Sequence, residues 1–259
     1  MSGPPDAAAA RVAAVIPVLN EAGAIGPTIA RLPRPMVSRV IVVDGGSRDA
    51  TAAEAAAAGA EVLVVRERGY GRACAEGAAR ARAGGAEVVL FLDGDGADAA
   101  EEAARLLAPV LEGRCDLVLA TRTGRLQEKG SMAAHQVLAG RLIGAAIGLL
   151  AGTRYSDMCA FRAIRLDVLG RLGMTEMTYG WNLEMQMRAA YAGLRIAEVA
   201  LPYRRRIAGK SKVAGSLSGT LRAGARIAAT LARVAVQTRR RARGRDIVSI
   251  SEDDDAPGR

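Results

Sequence analysis

A chain of 259 residues with 36 Lys+Arg against 27 Asp+Glu carries a formal charge of +9; half of it is apolar and 3% is aromatic. That length and apolar content suit one large domain or two small ones and exclude global disorder. A single His excludes a multi-His metal centre, and three widely spaced Cys (Cys74, Cys115, Cys159) without a C-x-x-C pair exclude a disulfide framework and suit a reducing compartment. Residues 1–10 read as a short disordered lead, since Asp6 and the lack of a basic run do not make a signal peptide. Val12–Ile16 is a strand closed by Pro17, and Glu21–Leu32 has helical character weakened by Gly23, Gly26 and Pro27. Arg39–Val43 is a second apolar run, followed by a D-G-G-S turn. The pattern then predicts helix over Ala50–Ala58, strand at Glu61–Val65, helix over Tyr70–Ala83 and strand at Glu87–Leu92. Helix over Asp98–Glu112, with Asp98 as N-cap, and a strand at Asp116–Ala120 follow. After Arg125 come a long Ala/Leu/Ile helix over Ser131–Leu150, a strand around Ala160–Ala163, a helix near Trp181–Ala192 and a strand at Arg195–Ala200. Continuous apolar strands alternating with helices predict an α/β fold with an open, mostly parallel sheet covered on both faces. Its ligand site lies at the carboxyl ends of the strands.

The charge is uneven. Arg204–Arg243 holds twelve Lys+Arg and no acid; against a chain total of +9, that +12 leaves −3 for the remainder. Such a block points to an anionic partner: a membrane surface, a phosphorylated substrate or nucleic acid. At about 100° per residue, Arg222, Arg226, Arg233 and Arg240 share one helical stripe, with Leu217, Ile227, Leu231 and Val234 opposite. This predicts a basic amphipathic helix over 216–243 lying on a membrane interface, and an acidic, disordered tail over 244–259. The longest uncharged stretch of that kind, Leu142–Thr153, is too short to span a bilayer, which places the protein in the cytoplasm or peripherally on its membrane face. The helix around Arg141–Thr153 is a second candidate for lipid contact, or a packed core helix.

Polar residues cluster at three strand ends: Asn20 and Glu21 after the first, Asp44, Ser47 and Asp49 after the second, Asp93 and Asp95 after the fourth. An open sheet gathers these ends into one crevice. Carboxylates crowded there repel one another unless a cation or donors are present. Mg²⁺ commonly takes one or two carboxylates plus substrate phosphates, so the pattern points to a metal-dependent site for a phosphorylated ligand. Each string alone is equally an ordinary turn or helix start; their recurrence at successive strand ends favours the site. Gly69-Tyr-Gly71 resembles a dinucleotide turn but reads as a helix start.

V-I-P-V-L-N-E, V-V-D-G-G-S-R-D-A-T and V-V-L-F-L-D-G-D-G resemble the family-2 glycosyltransferases of the GT-A fold, and the likeness continues through Y-S-D-M-C-A-F-R-A and Y-G-W-N-L-E-M-Q-M-R-A-A to R-R-R-I-A-G-K-S-K. It covers about Val12–Lys212, a domain of residues 11–215, and looks closest to dolichyl- or polyprenyl-phosphate sugar synthases. The resemblance implies that Pro17, Asn20, Glu21, Asp44, Ser47 and Asp93 bind a nucleotide sugar. Asp93 and Asp95 match the D-x-D motif that holds Mg²⁺ or Mn²⁺. It also implies that Arg122, Arg125, Arg162, Arg204, Arg206, Lys210 and Lys212 hold the acceptor and phosphates. Asp157 and Glu184 are alternative acid-base residues. The activity implied is inverting transfer of a hexose from a nucleotide-diphosphate sugar to a lipid phosphate at an anionic membrane surface. A phosphate acceptor needs positive charge more than a base, whereas a hydroxyl acceptor needs a base. Alternatives are a transferase with a soluble hydroxyl acceptor, a sugar-phosphate nucleotidyltransferase, and a nucleic-acid-binding protein; the scarcity of aromatics disfavours the last.

Overall fold

The computed structural model describes residues 11–122, 126–132, 134–208 and 229–238. Seven strands form one sheet: β1 (Val12–Val18), β2 (Arg39–Asp44), β3 (Glu61–Val64), β4 (Val88–Phe91), β5 (Leu117–Thr121), β6 (Arg162–Arg165) and β7 (Ile196–Ala200). They lie in the order β3-β2-β1-β4-β6-β5-β7. Every pairing is parallel except those of β6, which runs antiparallel to both β4 and β5. The helices are α1 (Ile25–Ala30), α2 (Thr51–Ala57), α3 (Tyr70–Ala83), α4 (Ala103–Leu111), α5 (Ala134–Ala151), α6 (Leu166–Leu172) and α7 (Trp181–Tyr191), with a further helical segment at 229–238.

The sheet is buried on both faces, as its continuous apolar strands require. Ala13 and Val15 of β1 belong to one core with α3, α5, α6 and α7, while Val12, Ala14 and Ile16 face a second core under α1 and α4. The first core is built close because its helices carry small residues. A Cβ on Gly77 of α3 would collide with Val15 Cγ1 and meet Val43 Cγ2, so glycine lets α3 lie flush on β1 and β2. Trp181 anchors the start of α7 edge-to-face against Phe91, with ring centroids 6.5 Å apart.

The strand β1 runs through Pro17 instead of ending before it. The even-numbered backbone groups face β2: Val18 O accepts from Gly45 N at 3.0 Å. The odd ones face β4, whose register stops at Val15, so the N–H that Pro17 lacks falls where no ladder bond is made. The helix expected over Asp98–Glu112 begins later: a 3-10 turn at Ala100–Glu102 leads into α4, and no side chain caps either start. The short helix α6 is an element that the sequence pattern did not reveal.

Candidate active site

Strand direction decides what meets at the site. All the parallel strands end on one edge of the sheet, so the segments after β1, β2, β4, β5 and β7 gather there. Because β6 is antiparallel, its beginning lies on that same edge, which brings residues 155–161 beside the ends of the others. Strand order reverses between β1 and β4, the position where open α/β sheets form their ligand crevice.

The loops after β1 and β2 are stitched together by side chains. Asn20 N donates to Ser47 Oγ (2.9 Å) and Arg48 N to Asn20 Oδ1 (2.8 Å). Glu21 N donates to Thr51 Oγ1 (2.8 Å) and Gly23 N to Glu54 Oε2 (2.6 Å). Asn20 adopts φ 52°, in the left-handed region that Asn tolerates better than most residues. Asp44 is buried, and its Oδ1 accepts from Gly46 N (3.0 Å) and Ser47 N (2.7 Å), closing the turn after β2. The turn reading is what these bonds show, and the residues that make them build the loop wall beside Glu21.

Beyond β4 the chain turns sharply. A Cβ on Gly94 would strike Val18 Cγ1, so glycine is needed for Asp93 and Asp95 to leave the turn on either side of it. Asp95 is buried; its Oδ1 accepts from Ala97 N (2.9 Å) and its Oδ2 lies 3.0 Å from Arg206 Nη2. Arg206 Nη1 lies 3.9 Å from Glu21. The segment carrying Arg206 is fixed along the same turn, with Arg204 N donating to Ala97 O (2.9 Å) and Ile207 N to Asp95 O (3.0 Å). Arg204 itself pairs with Glu101, away from the carboxylates of the turn.

A carboxylate not counted among the site residues from sequence completes the cluster. Asp98 is buried and its Oδ2 accepts from Asp93 N (3.2 Å) instead of capping a helix. Burial and the charges of Asp93 and Asp95 push its carboxyl up to about 8. Burial and Asp95 push Asp93 up to about 6, with Arg122 and Arg206 pulling the other way. Asp98 stands three residues after Asp95, a spacing that fits an N-cap equally well, so the sequence did not single it out as a site residue. Tyr203 was also missed: its ring lies 5.0 Å below the Arg122 guanidinium.

Arg122 leaves the end of β5 and is clamped by Asp157. Nε and Nη2 reach Asp157 Oδ2 and Oδ1 at 2.8 and 2.9 Å, and Arg122 N donates to Oδ2 at 3.0 Å. Burial acts to raise the Asp157 carboxyl, but Arg122 holds it below the usual Asp value.

Two expected site residues are engaged elsewhere. Arg162 is wholly buried, and its guanidinium donates to the carbonyls of Cys159, Ala160 and Asn182, tying the start of β6 to α7. Glu184 is also wholly buried. It accepts from Thr175 N (2.9 Å) and Glu176 N (2.6 Å), and pairs with Arg188 at 2.8 Å. No partner of either is a carboxylate of the crevice. The resemblance placed both at the site; in the structure their bonds tie neighbouring elements of the scaffold together. Arg125, Lys210 and Lys212 lie outside the described residues, as do residues 1–10, 216–228 and 239–259.

Of the arginines of the expected basic stripe, Arg233 is the one that falls among the described residues. In the segment 229–238, Arg233 turns inward to Glu176 (2.7 Å) and Glu184 (3.7 Å), Gln237 accepts from Arg188 Nη2 (2.8 Å), and Val234 is in the core. It thus meets one buried acid, Glu184, and one half-buried acid, Glu176. Among the described residues α5 also exposes apolar side chains: Leu138, Leu142 and Leu149 are 58%, 62% and 91% exposed while Ile143 and Ile147 are buried. Among the described residues no helix is long and apolar enough to cross a membrane.

Among the described residues no three His, Cys, Asp or Glu side chains gather closely enough to hold a metal ion alone. The donor chemistry nonetheless fits a hard divalent cation completed by ligand phosphates: Asp93 and Asp95 supply carboxylate oxygens on either side of Gly94, and that of Asp95 already faces a guanidinium.

A crevice of this kind, at the switch point of a mostly parallel sheet, defines a GT-A-type glycosyltransferase fold. The family model for Glycosyl transferase family 2 matches residues 13–173, and the chain belongs to that family. An uncharacterised glycosyltransferase of Mycobacterium tuberculosis is 34% identical over 214 residues, 81% of this chain and 93% of the relative. An undecaprenyl-phosphate mannosyltransferase of Micrococcus luteus is 31% identical over 225 residues, 81% of this chain and 90% of the relative. Among solved structures, glucosyl-3-phosphoglycerate synthase of M. tuberculosis with Mn²⁺, UDP-glucose and phosphoglyceric acid superposes with a TM-score of 0.69. That match has 24% identity, over 87% of this chain and 80% of the other, and it establishes the fold.

Proposed function

We propose that this glycosyltransferase inverts the anomeric carbon as it transfers a hexose from a nucleotide-diphosphate sugar to a polyprenyl-phosphate-type acceptor, working peripherally on the cytoplasmic face of a membrane. The observation that carries this reading is the confrontation of Glu21, Asp93, Asp95 and Asp98 with Arg122 and Arg206 at one sheet edge: carboxylates suited to a cation beside guanidiniums suited to phosphates. Pro17, Asn20, Glu21, Asp44 and Ser47 form the wall against which the nucleotide lies. Asp93 and Asp95 would hold Mg²⁺ or Mn²⁺, which when bound with the donor diphosphate supplies Lewis-acid stabilisation of the leaving group. An acceptor oxygen attacks the anomeric carbon from the face opposite the diphosphate, and the carbon–oxygen bond to the diphosphate breaks with its electron pair leaving on that oxygen. Arg206 neutralises the negative charge that grows there. An ionised phosphate acceptor requires no base, in keeping with the absence of an unengaged carboxylate at Asp157 or Glu184.

The mannosyltransferase relative and the exposed leucines of α5 support a lipid acceptor. A second reading, a soluble hydroxyl acceptor, is favoured by the solved structure holding phosphoglyceric acid, which offers a hydroxyl beside its phosphate. Transfer assays with UDP- and GDP-sugars, Mn²⁺ or Mg²⁺, and either a short-chain polyprenyl phosphate or phosphoglyceric acid decide between them. Metal-dependent product on the lipid phosphate is expected; product on phosphoglyceric acid alone selects the second reading.

A further inference from the structure

We propose that Asp157 is a positioning residue, which fixes the Arg122 guanidinium so that its remaining edge binds a phosphate monoester on the acceptor. This rests on the reading of the acceptor as a phosphate and deepens it. Each Asp157 oxygen accepts two bonds: Oδ2 from Arg122 N and Nε, Oδ1 from Arg122 Nη2 and Met158 N (2.7 Å). A general base needs an oxygen turned to the reacting hydroxyl, and here both are committed to donors of the protein itself. The guanidinium has five N–H groups in a fixed plane. Nε and Nη2 lie in the clamp, and the Nη1 edge lies outside it.

The surroundings fix that plane from several directions. Tyr203 supports one face of the guanidinium at 5.0 Å. Gln186, buried on α7, donates through Nε2 to Asp157 O at 2.9 Å. Next to the clamp, Ser156 Oγ donates to Thr121 Oγ1 (2.8 Å), and Ser156 N donates to Glu198 at 3.0 Å. A Cβ on Gly140 would stand 3.6 Å from Asp157 Oδ1, so α5 closes the clamp from its outer side. The end of β5, α5, α7 and β7 thus all meet the short segment Ser156–Asp157 before β6. An unrestrained arginine loses considerable rotamer freedom on gripping an anion. Here that loss is incurred on folding, and the bidentate geometry that suits a carboxylate leaves the adjacent edge oriented for phosphate oxygens. The same α5 carries the exposed Leu138 and Leu142, which places apolar surface on the helix that borders this anion site.

The test compares wild type, D157N, R122M and R122M/D157N in steady-state transfer to a short-chain polyprenyl phosphate and to phosphoglyceric acid, with folding checked by circular dichroism. D157N is expected to raise the acceptor KM about ten-fold, to keep the shape of the kcat–pH profile, and to add little in the R122M background. The acceptor whose KM responds identifies the source of the phosphate. Loss of the acidic limb of kcat in D157N with acceptor KM unchanged makes Asp157 a base and overturns the assignment, as does full additivity with R122M. Should D157N fail to fold, R122K carries the test: lysine cannot make the two-pronged bond, so an unchanged acceptor KM overturns the assignment. Wild-type turnover with neither phosphate overturns the acceptor reading, and this assignment with it; wild-type turnover with unaltered variants overturns the assignment alone.

Discussion

Asp95 is held by a backbone amide on one oxygen and a guanidinium on the other, so its charge is needed at the site and its shape is not needed by the core. Asp95→Asn is therefore expected to abolish metal-stimulated transfer while leaving the circular dichroism spectrum intact; Mn²⁺ titration followed by electron paramagnetic resonance should show weakened binding. The neighbouring acids give a pH prediction. Asp93 at about 6 and Asp98 at about 8 both lie above the value of 3.8 for an unperturbed Asp, so the folded chain binds protons that the unfolded chain has released. Their contribution to stability is complete at low pH and is lost as pH rises through about 4 to about 8. Acids held below their usual values, such as Asp157 and Asp167, act in the opposite sense only below about pH 4. Thermal melts in chelator should thus show the melting temperature falling from pH 5 to about pH 8. Mn²⁺ with nucleoside diphosphate should flatten that slope.

At the scale of elements, two junctions determine whether the scaffold holds. Gly77→Ala on α3 pushes a methyl into Val15 and should destabilise by about 1–3 kcal/mol in urea unfolding, without touching the crevice. Arg188 makes the shorter of the two ion pairs of buried Glu184, so Arg188→Ala removes its main counter-charge, leaves Arg233 at 3.7 Å, and should cost about 3 kcal/mol in the same measurement. Much of this level was legible beforehand. Tyr70–Ala83 and the start of α7 at Trp181 fall where the helical pattern placed them, because amphipathic spacing and glycine stops are local signals. The strand ends carrying Asn20, Asp44, Asp93 and Asp95 were legible for the same reason. What escaped the sequence was non-local. Pro17 looks like a strand terminator until the short register of β4 is known. The direction of β6 is not written in four residues, and with it goes the meeting of Asp157 with Arg122. Arg162 and Arg233 are charged residues whose inward turn depends on partners elsewhere in the chain, and the burial of Glu184 follows from the packing of α7 rather than from its local pairing with Arg188.

For the whole molecule, the split of charge into an acidic body and a basic end is modified by the docking of 229–238, where Arg233 pairs with Glu176 and faces buried Glu184. The exposed leucines of α5 offer a testable candidate surface for lipid. Leu138→Glu with Leu142→Glu should sharply reduce co-sedimentation with anionic vesicles while leaving transfer to a detergent-dispersed short-chain acceptor measurable; undiminished sedimentation would remove α5 from the membrane contact.

The reversed strand β6 also governs the order in which the molecule can be completed. β4 and β5 follow one another along the chain, yet β6 stands between them in the sheet. A growing polypeptide that has made β1 to β4 can close the first half of the sheet, but β5 must wait without a neighbour until the later segment arrives and is inserted. Pairings so far apart in sequence form slowly, since a long loop must be closed before any contact repays it. The crevice straddles this seam: its acids belong to the half that forms early, and Arg122, Asp157 and Arg206 to the half that forms late. A nascent chain therefore holds a cluster of like charges that repel one another, and its neutralisation coincides with closure of the sheet, so that binding competence and the final folding step are one event.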